Sequence, residues 1–320
     1  DGRLSQRGDQ GRSGVAEQYG VPLINDSSTS PDLTRQGYKW FWRTTPHDNY
    51  FTKDLFEFLK GMTEGKVKGL AAVPKKEITN LAAACEKTEW GSAVAELIEK
   101  YAKEYGFDLK KSILYGAKAT DLSGEVRYLT AVKPDAMLFA SYGSDSILMM
   151  KTLKDQKAQP KILWGQNAGF EVPEFVNTLG ATANGVLTRT VFIPKVGQVK
   201  PVAAKVNAMY KAKTGNDLSG ASARAFTGLQ VWVHVLEKAG SLKPADIQKA
   251  ANAIEIAGEE LVVTWQGIKF ATTGDDIGQN ILGSGLIGQY QKSPGGTIDL
   301  EIVYPFNLAT AKMIYPFPKF

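Results

Sequence analysis

Strand-then-helix alternation along most of its 320 residues predicts an α/β fold, with parallel sheets flanked by helices. Three observations carry that reading. Short apolar runs recur at Val21–Ile24, Leu81–Cys85, Ile113–Tyr115, Ala136–Ala140, Ile162–Trp164 and Gly185–Thr190. The stretches between them place apolar residues at helical spacing. The loops leaving the middle runs combine small residues with aromatic or amide ones, as at the carboxyl ends of parallel strands where ligands bind.

The helices follow in order. Tyr50–Met62 aligns Phe51, Leu55, Phe58 and Leu59 on one face, and Gly91–Tyr105 aligns Val94, Leu97, Ile98, Tyr101 and Tyr105 before Gly106 stops it. Glu125–Val132, Ser144–Lys154 and a short Pro173–Thr178 alternate with the strands. Pro201–Thr214 has proline in its first turn. Ser222–Lys238 is apolar almost all round, which predicts burial on every side. Pro244–Ile254 completes the set, and Leu261–Phe270, Gly285–Gln291 and Leu300–Tyr304 read as strands of a twisted ribbon. Residues 1–14, rich in glycine and arginine, read as a disordered or non-native start.

Composition narrows the function. The chain is 43% hydrophobic and 22% charged, as soluble globular chains are, and has no apolar run of membrane-spanning length. Residues 1–13 lack the apolar centre of a signal peptide. Net charge is +5, with lysines scattered among acids, so we read a solvated surface and no nucleic-acid partner. A lone cysteine, Cys85, excludes an internal disulfide and a multi-cysteine zinc site. There are two histidines, His47 and His234, and neither metal-ligand spacing nor a nucleophile elbow is present. Gly283–Gly288 spells G-x-G-x-x-G, but a strand follows where a dinucleotide fingerprint needs a helix. No catalytic residues, cofactor or metal are therefore expected.

Candidate binding residues come from the strand ends. Val21–Ile24 runs straight into Asn25-Asp26-Ser27-Ser28-Thr29-Ser30, dense in hydroxyl and amide groups. Leu81–Cys85 leads to Trp90, Ala136–Ala140 to Tyr142, and Ile162–Trp164 to Asn167. Parallel strands aim these loops at one rim, so Trp90, Tyr142 and Asn167 share a crevice, or else are surface loop residues with no common role.

The stretch VPLINDSSTSPDLTRQGYKWFWRTTP resembles the leucine/isoleucine/valine-binding protein family, the extracytoplasmic solute receptors of ABC importers. The family stretch Ile-Ser-Pro-x-x-Thr-x-Pro-x-Leu-Thr, then Gly-Tyr and Arg-Thr, reads here as Leu23 to Thr34, Gly37-Tyr38 and Arg43-Thr44. Glu89-Trp90-Gly91, Lys133-Pro134-Asp135 before AMLFA, Phe226 and the ending VYPFNLATAKMIYPFPKF follow in order. The resemblance covers about residues 15–320. It implies a two-lobed type I periplasmic-binding fold that closes on its ligand. One lobe would be 15–47 plus 190–281, the other 48–189 plus 282–306, with 307–320 as a tail. Ser27, Ser28 and Thr29 match the stretch that holds the ligand's carboxylate. Trp90 and Tyr142 match aromatic contacts, and Phe226 a wall residue. Asn167 falls where amino-acid binders place a glutamate against the ligand's ammonium.

Two departures from the family shape the expectation. Uncharged Asn167 would lose a charge-assisted bond to an ammonium, which favours an aromatic or apolar carboxylate, or an amide, over an amino acid. About three βα units that precede the Val15 position in the family are not in this sequence, so the first lobe is expected to be incomplete and N-terminally truncated. One choice of codons for Leu4–Arg12, read one base later, gives a family-like Tyr-His-Ser-Ala-Val-Thr-Lys-Ala, as a frameshift would. An exposed strand edge, poor solubility and weak or no ligand binding are the expected consequences. The implied function is a periplasmic solute-binding protein that is not an enzyme, whose partners are a small ligand and the importer's membrane subunits. A cytosolic ligand sensor of the same fold and an α/β enzyme are the alternatives.

Overall fold

A computed structural model describes residues 6–320, with side chains from Gly11 onward. The described chain divides into two compact units, one of residues up to Phe51 with Pro194–Gly285, the other of Thr52–Ile193 with Leu286–Phe320. The polypeptide passes from one unit to the other three times. The C-terminal stretch 307–320 is part of the second unit: Met313 and Phe317 are buried, and the Phe317 N–H donates to the Lys161 carbonyl.

The first unit opens with α1 (Gln6–Tyr19), β1 (Leu23–Asn25), α2 (Asp32–Arg35), β2 (Phe41–Arg43) and the first residues of α3 (Asp48–Thr63). Residues 6–14, expected as a disordered start, form the first part of α1, while residues 1–5 lie outside the described residues. The helix is tied down at its C-terminal half. Ala16 is buried, and the Glu17 carboxylate accepts from the Lys39 and Trp40 N–H groups. Strands β1 and β2 pair in parallel, Leu23 opposite Phe41 and Asn25 opposite Arg43.

The second unit holds β3 (Asn80–Glu86), α4 (Glu89–Glu104), β4 (Asp108–Tyr115), α5 (Ser123–Thr130), β5 (Ala136–Ala140), α6 (Gly143–Asp155), β6 (Ile162–Gly165), α7 (Pro173–Leu179) and β7 (Leu187–Thr190). The chain returns to the first unit for α8 (Pro201–Thr214), α9 (Gly220–Ala239), α10 (Pro244–Asn252), β8 (Ile256–Ala257) and β9 (Gly267–Ile268). It ends in the second unit with β10 (Leu286–Lys292) and β11 (Ile298–Tyr304). The second unit's sheet has seven strands in the order β11-β10-β7-β6-β5-β3-β4. Its β3 to β7 pair in parallel, and β10 and β11 add antiparallel.

Alternation across that sheet splits its core in two, as a parallel sheet covered on both faces requires. Leu81, Ala83, Cys85, Leu138 and Ala140 join one apolar cluster with residues of α3 and α4. Ala82, Ala84, Met137 and Phe139 join the other, with residues of α5, α6 and α7.

Two expectations fail in the first unit. Leu261–Phe270 is no strand beyond Gly267–Ile268. Its Leu261, Val262, Val263 and Trp265 are buried from a turn-rich segment, and Lys200 Nζ holds that segment by donating to the Gly258 and Val263 carbonyls at 2.6 Å each. Helix α9 is not buried all round. It buries Ala223, Thr227, Gly228, Val231 and Val235, while Phe226, Leu229 and Val233 on another face are 39%, 63% and 47% exposed. An apolar composition therefore gives two faces here, of which this fold covers one.

Candidate functional site

The polar loop after β1 is built on its first residue. Asn25 Oδ1 accepts from the Ser27 and Ser28 N–H groups, both at 3.0 Å, which turns the chain back at the strand end. The loop then rests on two supports. The Thr29 carbonyl accepts from the Asp48 N–H at 2.8 Å, at the start of α3, and the Thr29 hydroxyl donates to Asp48 Oδ2 at 2.7 Å. Arg43, at the end of β2, is fully buried and donates through Nη1 to the Ser30 carbonyl at 2.5 Å and the Ser28 carbonyl at 3.3 Å. Its Nε donates to Gln279 Oε1 at 2.7 Å and its Nη2 to Thr34 Oγ1 at 3.1 Å.

This arrangement alters the chemistry expected of Ser27, Ser28 and Thr29. The Thr29 proton is committed to Asp48, so that hydroxyl does not donate to an incoming anion. Among the described residues the Ser27 hydroxyl and the backbone N–H groups of Thr29 and Ser30 have no hydrogen-bond partner. These are the loop's available donors, although Thr29 and Ser30 are buried. Buried backbone donors without partners are uncommon and fit a place where a ligand completes the bonding.

A titratable pair lies beside Arg43. Asn49 N–H donates to His47 Nδ1 at 3.2 Å, which leaves the ring proton on Nε2, 3.3 Å from the Asp276 carboxylate. Burial holds the His47 pKa below its ordinary value, and the bond from His47 holds Asp276 below the usual carboxylate range. Burial lowers Arg43 to about 10, which still leaves it charged at neutral pH. Arg43, His47 and Asp276 were not singled out in the sequence. Arg43 lay in the quoted Arg-Thr pair, but nothing local shows that its side chain turns back onto Ser28 and Ser30.

Phe226 belongs to the same unit. It stands on α9, whose Gly228 packs against Asp26: a Cβ there would lie 2.7 Å from the Asp26 Cβ. The ring is 39% exposed.

In the second unit, the loops after β3, β5 and β6 meet. The Glu86 carboxylate accepts from the Tyr142 N–H at 2.8 Å, and Gly169 N–H donates to the Ser141 carbonyl at 3.0 Å. Gly169 admits this approach because a Cβ would lie 2.6 Å from the Tyr142 carbonyl carbon. Trp90 and Tyr142 form a tilted ring pair, centroids 5.0 Å apart. Trp90 is buried in the apolar cluster with α3 and α4, and Tyr142, 43% exposed, is the accessible member. Asn167 has φ of 52° and Ala168 of 44°, two successive non-glycine residues in a sparsely allowed region. Asn167 Nδ2 donates to the Arg189 carbonyl at 3.2 Å, and among the described residues its Oδ1 receives no donor. The structure thus brings Trp90 and Tyr142 together as a ring pair, and it packs the Asn167 loop against the Tyr142 loop through Gly169 and Ser141.

Cys85 is fully buried, its thiol pushed up to about 12. Among the described residues no group of three His, Cys, Asp or Glu side chains could hold a metal, and no helix is long and apolar enough to cross a membrane. Two open grooves of about 480 and 380 Å³ lie beside α3 in the second unit, away from every loop described above. Their Glu64 pairs with Lys60 and Lys66, a solvated charged surface.

The periplasmic binding protein family profile matches residues 10–275. The chain is 25% identical over 308 residues to Leu/Ile/Val-binding protein homolog 7 of Brucella suis, covering 95% of this chain and 73% of that one. It is 25% identical over 305 residues to homolog 8 of Brucella abortus, covering 94% and 72%. Its fold is similar to a leucine-binding protein LivK from Thermotoga maritima, with a TM-score of 0.74 and 18% identity over 92% of this chain and 76% of that one. It is also similar to a leucine-, isoleucine-, valine-, threonine- and alanine-binding protein from Brucella ovis in its closed conformation, with a TM-score of 0.73 and 17% identity over 94% and 76%. The mostly parallel sheet, its covering helices and the extent of the profile match agree: this chain belongs to the periplasmic binding protein family, with the fold of the Leu/Ile/Val-binding group.

Proposed function

We propose that this protein is the extracytoplasmic solute receptor of an ABC importer and binds a small apolar or aromatic carboxylate, which its two lobes enclose as they close. The observation that carries this reading is the loop Ser27–Ser30. It presents the Ser27 hydroxyl and the Thr29 and Ser30 N–H groups without acceptors among the described residues, a donor set that suits a carboxylate. Tyr142 beside Trp90 supplies an apolar ring surface for the ligand's body, and Phe226 a second. No step of bond chemistry is required: binding and closure deliver the solute to the importer's membrane subunits outside the cytoplasm.

A second reading is supported by the names of the similar proteins, Leu/Ile/Val-binding protein homologs and a leucine-, isoleucine-, valine-, threonine- and alanine-binding protein. In it the ligand keeps an α-ammonium, and Asn167 Oδ1 accepts from it as a neutral partner. Calorimetric titration with leucine, isoleucine, benzoate and phenylacetate at millimolar concentration separates the two. Heat from the benzoate-type acids with none from leucine supports the first reading. Leucine binding with inert aromatic acids replaces it by the second, and no heat from any of the four contradicts both.

A further inference from the structure

We propose that Arg43 is a positioning residue for ligand capture, a buried cation that fixes the orientation of the donor loop Ser27–Ser30 without touching the ligand. This rests on the carboxylate reading of that loop.

The peptide unit is planar and trans, so its C=O and N–H point in opposite directions. Arg43 Nη1 grips the Ser28 carbonyl, so the N–H of the same peptide, on Thr29, points away from the guanidinium. Asp48 N–H grips the Thr29 carbonyl, which sets the Ser30 N–H in the same manner. The grip at Ser30 O, 2.5 Å from Nη1, fixes the end of the loop where Pro31 has no N–H to contribute. One cation therefore holds two carbonyls of one loop, and the two N–H groups without partners lie between the points it holds.

The guanidinium is itself held flat. Gln279 Oε1 takes its Nε proton, and the Gln279 amide is fixed in turn by donating to the Thr45 and Asn280 carbonyls at 3.0 and 2.9 Å. Thr34 Oγ1 takes an Nη2 proton. Among the described residues all of these acceptors are neutral. The carboxylates of Asp48 and Asp276 lie near enough to act on the charge without bonding to it. A planar fork with several donors in fixed directions is what this geometry uses, and a lysine would reproduce the charge but not the directions.

The test pairs ligand affinity with amide exchange. Arg43→Gln should weaken binding of whichever titrated carboxylate the wild type takes, by about tenfold or more, the scale of one lost hydrogen bond to a charged group. It should also speed exchange of the Ser27, Ser28 and Asp48 amides, whose bonds define the loop. Arg43→Lys should fall between wild type and Arg43→Gln in both readouts. Ile247→Ala on α10 removes buried apolar volume from the same unit; it should lower the unfolding midpoint while leaving exchange of those three amides and affinity unchanged. Unchanged exchange in Arg43→Gln overturns the proposal, as does loop loosening of equal size in Ile247→Ala. If the loop loosens in Arg43→Gln but the wild type binds no carboxylate, the carboxylate reading falls and the bracing of the loop by Arg43 stands.

Discussion

Both units bury apolar side chains, but they differ in the sheets they build and in where buried polar groups form a network. The second surrounds a seven-stranded sheet with two apolar clusters, one on each face, and its strand β5 is buried from Ala136 to Ala140. The first has three-residue strands, β1 and β2, and a network of buried polar groups: Arg43, Thr44, Gln279 and Asn280 are all fully buried. Dispersion and the hydrophobic effect tolerate small shifts, whereas a buried hydrogen-bond network fixes directions and penalises any missing partner. The network around Arg43 is also the one that braces the donor loop.

This contrast can be broken from the apolar side first. Phe139 is 1% exposed and stacks on Phe170 with centroids 6.4 Å apart. Phe139→Ala should cost about 3–5 kcal/mol in denaturant unfolding. A loss under about 1 kcal/mol would show that the second unit does not depend on its apolar clusters.

The polar network should respond less, but through satisfaction of bonds and not volume. Asn280 Nδ2 donates to the Thr44 and Gly267 carbonyls, and its Oδ1 accepts from the Lys269 and Leu282 N–H groups. Asn280→Ala leaves the buried Thr44 and Gly267 carbonyls without these donors and should cost about 2 kcal/mol or more. Asn280→Asp keeps the acceptor and loses the donors, so it should not restore stability.

Acid should act next, and on the first unit. His47 is held neutral by burial, so its folded pKa lies below the ordinary 6.5. The unfolded chain then binds the proton first as pH falls. The stability is complete above about pH 6.5 and is lost progressively below it. Asp276, lowered by its bond from His47, adds a further loss at lower pH, below the ordinary carboxylate value of 3.8. His47→Gln should flatten the unfolding midpoint between pH 6.5 and 5. An unchanged slope would remove His47 from the network's acid response.

The smallest effect on stability belongs to the exposed stripe of α9. Leu229→Gln, at a position 63% exposed, should change the unfolding free energy by less than about 0.5 kcal/mol. It should, however, reduce binding of a hydrophobic dye and self-association, because Phe226, Leu229 and Val233 form one apolar face.

The sequence was legible where one physical signal dominated. Ala136–Ala140 matches β5 residue for residue because a fully apolar run between small polar loops has few other homes. Strand β4 was legible only at Ile113–Tyr115. Its earlier half, Asp108–Ser112, carries Lys110 and Lys111 on the sheet's edge and so looks like surface. For α9 the apolar signal was real, but composition does not say how many faces find cover. At the candidate site, the hydroxyl-rich character of Ser27–Thr29 was legible in the sequence. Which atoms remain free to bind was not, since the Thr29 hydroxyl is committed to Asp48, nineteen residues on. Arg43 was hidden for the same reason: its partners Ser28, Ser30, Thr34 and Gln279 converge only in the fold.

The claim that joins these findings is that Thr29 and Ser30 offer backbone N–H groups to a carboxylate. Amide resonances report it most directly, in a titration of the isotopically labelled protein with phenylacetate and, separately, with phenylacetamide of the same shape. The Thr29 and Ser30 N–H protons should move downfield with the carboxylate and not with the carboxamide. Phenylacetate binding that leaves those two resonances in place, or equal shifts from both compounds, would contradict it.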